Sequence, residues 1–329
     1  MYYLETGSVN PFYNLAFEEY VLHSCLEGDW LILWQNDKTV VIGQNQNAEA
    51  EINRGFVEAN GIHVVRRATG GGAVYHDLGN LNYSFITDRN QGESMERFTR
   101  PVVDALRGLG LNAQASGRND ILIDDKKISG TAQRIHRSRI LHHGTLLFDS
   151  DPERIAGALR SDPEKFRSKS TPSVRSRVGN IRECLQRDMT IAEFWEYLKQ
   201  VLSGDDLISV TLPEAALEQI RKIKTEKYDT WEWNFGRTPQ FSLCRKQRLA
   251  GGTLEVQLEV TGGILAAAAF RGDFLSKRPL DAVEQALEGC RFCREDIAQV
   301  LNTFSPEDYF GTISPVQIIE TIFPSGDTA

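Results

Sequence analysis

"RRATGGGAVYHDLGN", residues 66–80, sets the problem this chain poses. Two arginines run into three consecutive glycines, and a histidine and an aspartate follow four and five residues after the last of them. Glycine loses more conformational freedom on folding than any other residue, so three together mark a backbone that takes unusual angles or admits a very close neighbour. A tight surface turn is the plainer reading, and the flanks weigh against it. Short β-rich runs lie on both sides: "WLILW" (30–34), "TVVIG" (39–43), "IHVVRR" (62–67), "GAVYH" (72–76) and "LNYSFI" (81–86). A glycine run between two strands, behind Arg66 and Arg67, can present backbone N–H groups to an anion while a guanidinium reaches its oxygens. Phosphate or carboxylate is the expected guest.

Working outward, "NPFYNLAFEEYVLHSCL" reads as a packed helix, with Asn10 as cap, Pro11 in the first turn, and Phe12, Leu15, Ala16, Leu22 and Leu26 on one face. A second helix is expected within 94–109, where Phe98, Val102, Ala105, Leu106 and Leu109 share a face, Pro101 starts or kinks it, and Gly110 ends it. "NDILIDDKKISGTAQ" and "HHGTLLF" read as strands, the first turning near Asp124, Asp125 and Lys126. Strict strand–helix alternation is missing, so the sheet is expected to be mixed or antiparallel rather than doubly wound. Helices dominate 151–235, and a second strand-then-helix set follows, with a turn at Gly262 and Gly263 and helices near 280–289 and 293–302. A domain boundary is expected near 245.

Composition narrows the function. The chain has 329 residues, 41% of them hydrophobic, enough for one large core and a smaller one. With 45 acidic and 37 basic side chains the net charge is −8, which argues against a nucleic-acid backbone as partner. No apolar run is long enough to span a bilayer and no leader-like segment opens the chain, so a cytoplasmic protein without membrane contact is expected. Its five cysteines, an odd number without regular spacing, read as reduced thiols. Cys290 and Cys293 form a C-x-x-C that lacks the second half of a zinc site. P-loop, dinucleotide-fold, zinc-peptidase and α/β-hydrolase motifs are all absent.

A second constellation follows the glycines. Asn119 and Asp120 precede Lys126 and Lys127 across a predicted hairpin. In one reading Asp120 and Lys127 face one pocket, the carboxylate offering an oxygen to Mg²⁺ and the ammonium a charge to an oxyanion; in the other they are solvated tips. His142 and His143 enter a strand, where one is expected to serve packing.

Taken together, "RRATGGGAVYHDLGNLNYSFI", "GRNDILIDDKKISGTAQ", "HHGTLLF", "TPSVRSRVGNI" and "WEWNFGRTP" resemble, in order and spacing, the lipoate–protein ligase A family over nearly the whole chain. The resemblance implies an α/β (α+β) biotin/lipoate ligase domain with mixed, largely antiparallel sheets over residues 1–245, and a smaller α/β accessory domain over 246–329. It implies ATP and Mg²⁺ as cofactors and two steps: lipoate attacks the α-phosphate to give lipoyl-AMP and pyrophosphate, then a lysine amine takes the lipoyl group. Arg67, Gly72, Ala73, Val74 and Tyr75 match the nucleotide-binding positions, and Lys127 matches the catalytic lysine that touches both ATP and lipoate. Gly71 and His76 fall on the lipoate side, and Asn119 and Asp120 are candidate adenylate contacts, Asp120 also a candidate metal ligand. Acceptors of the implied class are lipoyl domains of 2-oxoacid dehydrogenase complexes and the glycine-cleavage H protein; lipoic acid against octanoate stays open. The basic residues Lys165, Lys169, Arg167, Arg175, Arg177 and Arg182 are a candidate docking face for an acidic acceptor. Two rivals are a thioester acyltransferase working without ATP, which needs a cysteine at the pocket, and a non-catalytic relative free to lose its pocket charges.

Overall fold

Alternate residues of "WLILW" go to opposite sides of a sheet, Leu31 and Leu33 entering one core and Ile32 and Trp34 another. The same parity runs through "LNYSFI", where Leu81, Tyr83 and Phe85 join the first core and Ile86 the second. A sheet buried on both faces is the result. The computed structural model describes residues 1–46, 48–117, 119–160, 178–204, 206–235, 243–261 and 263–324. Five of the six basic residues singled out above, Lys165, Arg167, Lys169, Arg175 and Arg177, lie outside them, as do parts of the two last family motifs.

Strands β1 (Tyr2–Glu5), β2 (Trp30–Trp34), β3 (Thr39–Ile42), β4 (His63–Arg66), β5 (Val74–His76), β6 (Asn80–Asp88), β7 (Ala113–Ser116), β8 (Asp120–Ile123), β9 (Lys126–His136), β10 (Arg139–Leu147) and β11 (Ile208–Ser209) form two sheets. The larger has the order β11-β1-β2-β6-β10-β9-β8-β7, the smaller β4-β3-β5. Within the larger, β1 runs parallel to β2 and β11 and the other pairs are antiparallel, so the sheet is mixed and largely antiparallel as expected.

Helix α1 (Pro11–Ser24) covers one face of the large sheet. Asn10 caps it by accepting from the Tyr13 N–H at 3.0 Å. It ends at Ser24, so Leu26 lies beyond it, 49% exposed, and is not part of the buried face. That face instead carries two buried polar residues one turn apart, Asn14 and Glu18. The helix Met95–Gly108 covers the other face through Phe98, Val102, Ala105 and Leu106; it runs through Pro101 instead of starting there, and Gly110, at φ +80°, receives the chain as it turns away. Between β8 and β9, Asp124 (φ +47°) and Asp125 (φ +66°) make a tight hairpin turn of the type in which both central residues are left-handed.

Strands β12 (Leu243–Leu249), β13 (Gly252–Thr261) and β14 (Ile264–Gly272) form a separate antiparallel sheet, and the helices Asp281–Leu287, Arg294–Leu301 and Pro315–Ile322 pack with it around Phe270, Phe274, Val283, Ile297 and Ile318. Position 245, where the sequence suggests a division, falls inside β12. The two parts are laced by backbone hydrogen bonds: Gly272 N–H to Asn45 O (2.7 Å), Gly71 N–H to Phe274 O (3.0 Å), Gly70 N–H to Ser276 O (3.3 Å) and Ile135 N–H to Lys277 O (2.8 Å). No helix among the described residues is long and apolar enough to cross a membrane. All five cysteines are unpaired.

Candidate active site

Strand parity selects the side chains that reach the site. On the α1 side of the large sheet, Trp34 (β2), Asn82 (β6), and His143 and Thr145 (β10) line one cavity of about 110 Å³ with Leu15 from α1. Arg67, Gly72, Ala73, Val74 and His76 close it from the smaller sheet and the glycine run, and Asn119, Lys127, Gly130, Thr131 and Ala132 from the hairpin.

Lys127 gets there through a β-bulge. Ile121 pairs with Ser129 but Leu122 with Lys127, so Ile128 is an extra residue in β9. Ile128 and Ser129 are consecutive and both fully buried, and the side-chain alternation is reset between Ser129 and Lys127. Lys127 therefore turns to the cavity side, crossing over Gly130, where an added Cβ would lie 3.3 Å from its Nζ. Its Nζ stands 2.7 Å from Asp120 Oδ1, while Lys126 points the other way, 51% exposed and 4.0 Å from Glu183. Lys127 lines the cavity; Asp120, its ion-pair partner, is not among the lining residues, and both side chains keep about a third of their surface exposed. Asn119 is fixed beside it, its side-chain amide donating to Thr131 O at 2.8 Å.

Arg67 is buried, and among the described residues no carboxylate forms an ion pair with it. Its guanidinium donates to Gly70 O (2.6 Å), Gly72 O (2.9 Å) and Thr69 Oγ1 (2.9 Å), so it shapes the glycine turn from inside. Burial pulls its pKa down to about 10, which leaves it a cation at neutral pH. Thr69 passes the network on. It accepts from Arg67 Nε–H, and its hydroxyl lies 2.8 Å from His143 Nε2, whose Nδ1 faces Glu18 at 2.9 Å. Glu18 also accepts from Ser84, which accepts from Trp34 Nε1–H at 2.9 Å. One tautomer satisfies the chain: Nδ1–H donates to Glu18 and Nε2 accepts from Thr69. His142, the neighbour on the opposite face, has ring nitrogens without a hydrogen-bond partner among the described residues and stacks on Phe98 with ring centroids 4.9 Å apart.

Two expectations are corrected. The glycine amides were expected to face an anion, but those of Gly70 and Gly71 donate to Ser276 and Phe274 of the C-terminal part. The close neighbour that the run admits is backbone: a Cβ on Gly70 would sit 2.4 Å from Ser276 N, whereas one on Gly72 meets nothing nearer than 4.0 Å. Gly71, at φ +93°, is the left-handed residue of the turn. Gly72, Ala73 and Val74 do border the cavity, but the Tyr75 side chain does not; it packs with Val40, Ile42 and Ile155 on the far side of β5, because neighbours on a strand face opposite ways. Asp77 caps a turn, accepting from Gly79 N–H and Asp151 N–H.

The sequence reading missed Glu18, Thr69, Asn14, Asn36 and Asn82. The legible signal for the helical pair was Asn14 and Glu18, two polar residues four apart on an otherwise apolar face.

A mixed α/β sheet with one cavity that joins an apolar wall, Leu15 and Trp34, to a buried guanidinium and a lysine has the make-up of a small-molecule site, and the comparisons give the class. A family model described as the lipoyl protein ligase A/B catalytic domain matches residues 10–203, and one described as the bacterial lipoate protein ligase C-terminus matches residues 238–322. The lipoate-protein ligase LplJ of Bacillus subtilis (strain 168) is 42% identical over 98% of this chain and 100% of its own. A solved lipoate-protein ligase A bound with ATP is 30% identical, with a TM-score of 0.60 over 71% of this chain and 96% of its own. The bi-partite lipoate protein ligase of Thermoplasma acidophilum, solved in a study that includes its E2 lipoyl domain, is 33% identical, with a TM-score of 0.63 over 74% of this chain and 98% of its own. The chain belongs to the lipoate–protein ligase family.

Proposed function

We propose that this ligase activates lipoate with ATP and transfers the lipoyl group to a lysine of a lipoyl domain or H protein. In the first step a carboxylate oxygen of lipoate attacks the α-phosphorus and pyrophosphate leaves; in the second the acceptor amine attacks the acyl carbon and AMP leaves. The observation that carries this reading is the cavity itself, whose apolar wall of Leu15, Trp34 and Val41 meets the Arg67 guanidinium and the Lys127 ammonium. An apolar chain fits the wall, and its carboxylate, with the α-phosphate, fits the cations. Lys127, bridging from Asp120, is the group placed to follow charge as it moves from carboxylate to phosphate. Arg67 holds Gly70 and Gly72 in place, and so positions the border formed by Gly72, Ala73 and Val74 on the nucleotide side. The ATP-bound relative supports the nucleotide, and the relative studied with its lipoyl domain supports the acceptor class. None of the five cysteines lines the cavity, which speaks against a thioester route.

Magnesium fits this donor set only as a companion of the nucleotide. No group of three His, Cys, Asp or Glu side chains gathers among the described residues, and Asp120 is engaged by Lys127. Asp120 would be the residue to hold a hard cation carried in on ATP phosphates, where the ion neutralises phosphate charge. The test is pyrophosphate release on mixing the full chain with lipoate, ATP and Mg²⁺ before any acceptor is added. Release that needs lipoate supports the reading; release only on adding acceptor, or none, contradicts it.

A further inference from the structure

The two arginines that precede the glycine run part ways. Arg67 lines the cavity, whereas Arg66, the last residue of β4, is not among the lining residues. Its buried guanidinium donates to five backbone carbonyls. One terminal nitrogen serves Gly43 O (2.9 Å), Gln44 O (2.9 Å) and Gln46 O (2.6 Å), Nε serves Trp233 O (2.9 Å), and the other terminal nitrogen serves Asn234 O (3.0 Å). The helix Trp231–Asn234 holds the Arg66 backbone as well, Asn234 Oδ1 accepting from its N–H at 2.8 Å and Trp233 Nε1–H donating to its carbonyl at 2.8 Å. Burial above all pulls Arg66 down to about 10, so it stays a cation at neutral pH. A buried cation deprived of its acceptors is costly, so the carbonyls it holds are fixed to one another through it.

What it fastens is loop 43–46, which leaves β3 and lies against the glycine run. A Cβ on Gly43 would stand 2.0 Å from Gly71 O, and Gln44 N–H donates to Thr69 O at 2.8 Å. The same loop receives the C-terminal part, since Asn45 O accepts from Gly272 N–H and Asn45 Nδ2–H donates to Ser276 Oγ at 2.9 Å. We infer that Arg66 is a positioning residue for adenylation: it sets loop 43–46, and through the loop the glycine run whose Gly72, Ala73 and Val74 border the cavity. The inference rests on the ligase reading above and deepens it. Arg67 holds the glycine turn by its own carbonyls, and Arg66 holds the loop that the turn rests on. Both are needed if the border is to meet a phosphate in register, because a misplacement of about 1 Å at a reacting centre can cost on the order of 10²-fold in rate.

The test compares Arg66→Lys, which keeps the charge but loses the planar fork, with Trp233→Phe, which keeps an aromatic ring and removes the N–H given to Arg66 O. Two quantities are read on the full chain: lipoate affinity by calorimetry without nucleotide, and the single-turnover rate of lipoyl-AMP formation per folded molecule at saturating ATP. Arg66→Lys should bind lipoate within about twofold of wild type, because Leu15, Trp34 and Val41 stand outside the network, yet form lipoyl-AMP at least about tenfold more slowly. Trp233→Phe should show the same split at about threefold, the scale of one hydrogen bond. If Arg66→Lys does not fold, Trp233→Phe decides alone. An unchanged rate per folded molecule, whatever the loss of stability, would make Arg66 a structural residue only and overturn the inference; so would lipoate affinity falling in parallel with the rate. Wild type that forms no lipoyl-AMP overturns the ligase reading, and the inference with it.

Discussion

The Gly71 N–H donates to the Phe274 carbonyl at 3.0 Å, so the glycine run of the catalytic part is read by the backbone of the C-terminal part. This makes the three glycines unequal. Gly70 has Ser276 N 2.4 Å and Phe274 O 2.8 Å from where a Cβ would stand, and Gly72 has only Asp273 Cβ, at an ordinary contact distance of 4.0 Å.

Gly70→Ala should therefore push the segment around Ser276 away, lowering stability by about 1–3 kcal/mol as overpacking does. Gly72→Ala should stay within about 0.5 kcal/mol, the range of uncomplicated surface changes. Urea unfolding of the two variants checks this; equal effects would mean the two parts do not meet as described.

Thr69 joins Arg67 to His143, and Thr69→Val removes the oxygen from both contacts at nearly constant volume. Two buried groups then lose a partner, at a cost of about 1–3 kcal/mol for each left unmet. Thr69→Ser should cost much less. A Thr69→Val variant as stable as the Ser variant would remove the relay from the account.

Much of the fold was legible in the sequence. Alternation in "WLILW" and "LNYSFI", the helical face of Phe98, Val102 and Leu106, and the Asp124–Asp125 turn are local patterns that the structure keeps. Of the residues singled out in the sequence, Arg67 and Lys127 line the cavity; Arg67 stood out beside the glycine run, whereas only the resemblance separated Lys127 from Lys126. What could not be read is set by distant partners. That Gly70 and Gly71 serve Ser276 and Phe274 depends on a contact across some two hundred residues of chain. The bulge at Ile128, which aims Lys127, leaves no local signature, since Ile128 and Ser129 are an ordinary strand pair until register is known. Asn14, Glu18 and Asn82 gain meaning only when α1 and β6 are laid against each other.

Acid should loosen the fold in a defined window. Burial holds His142 and His76 down to about 3, well under the ordinary 6.5 of histidine. Between pH 6.5 and about 3 the unfolded chain therefore binds protons that the folded chain refuses, and stability falls as pH falls. Each such histidine contributes up to about 1.4 kcal/mol per pH unit there. His142→Phe, which keeps a ring against Phe98, should remove that much from the slope. Parallel stability curves for wild type and variant between pH 6 and 4 would contradict this.

If the bulge at Ile128 gives the reaction Lys127 and not Lys126, the two lysines separate in adenylation. The measurement is single-turnover formation of lipoyl-AMP, followed by lipoyl transfer from preformed lipoyl-AMP, for Lys127→Ala and Lys126→Ala. Loss of a preorganised cation at a developing charge commonly costs about 10²- to 10³-fold in rate. A loss of that size in adenylation is expected for Lys127→Ala and wild-type behaviour for Lys126→Ala; equal mild defects, or the larger loss at Lys126, would contradict a role for the bulge in aiming Lys127.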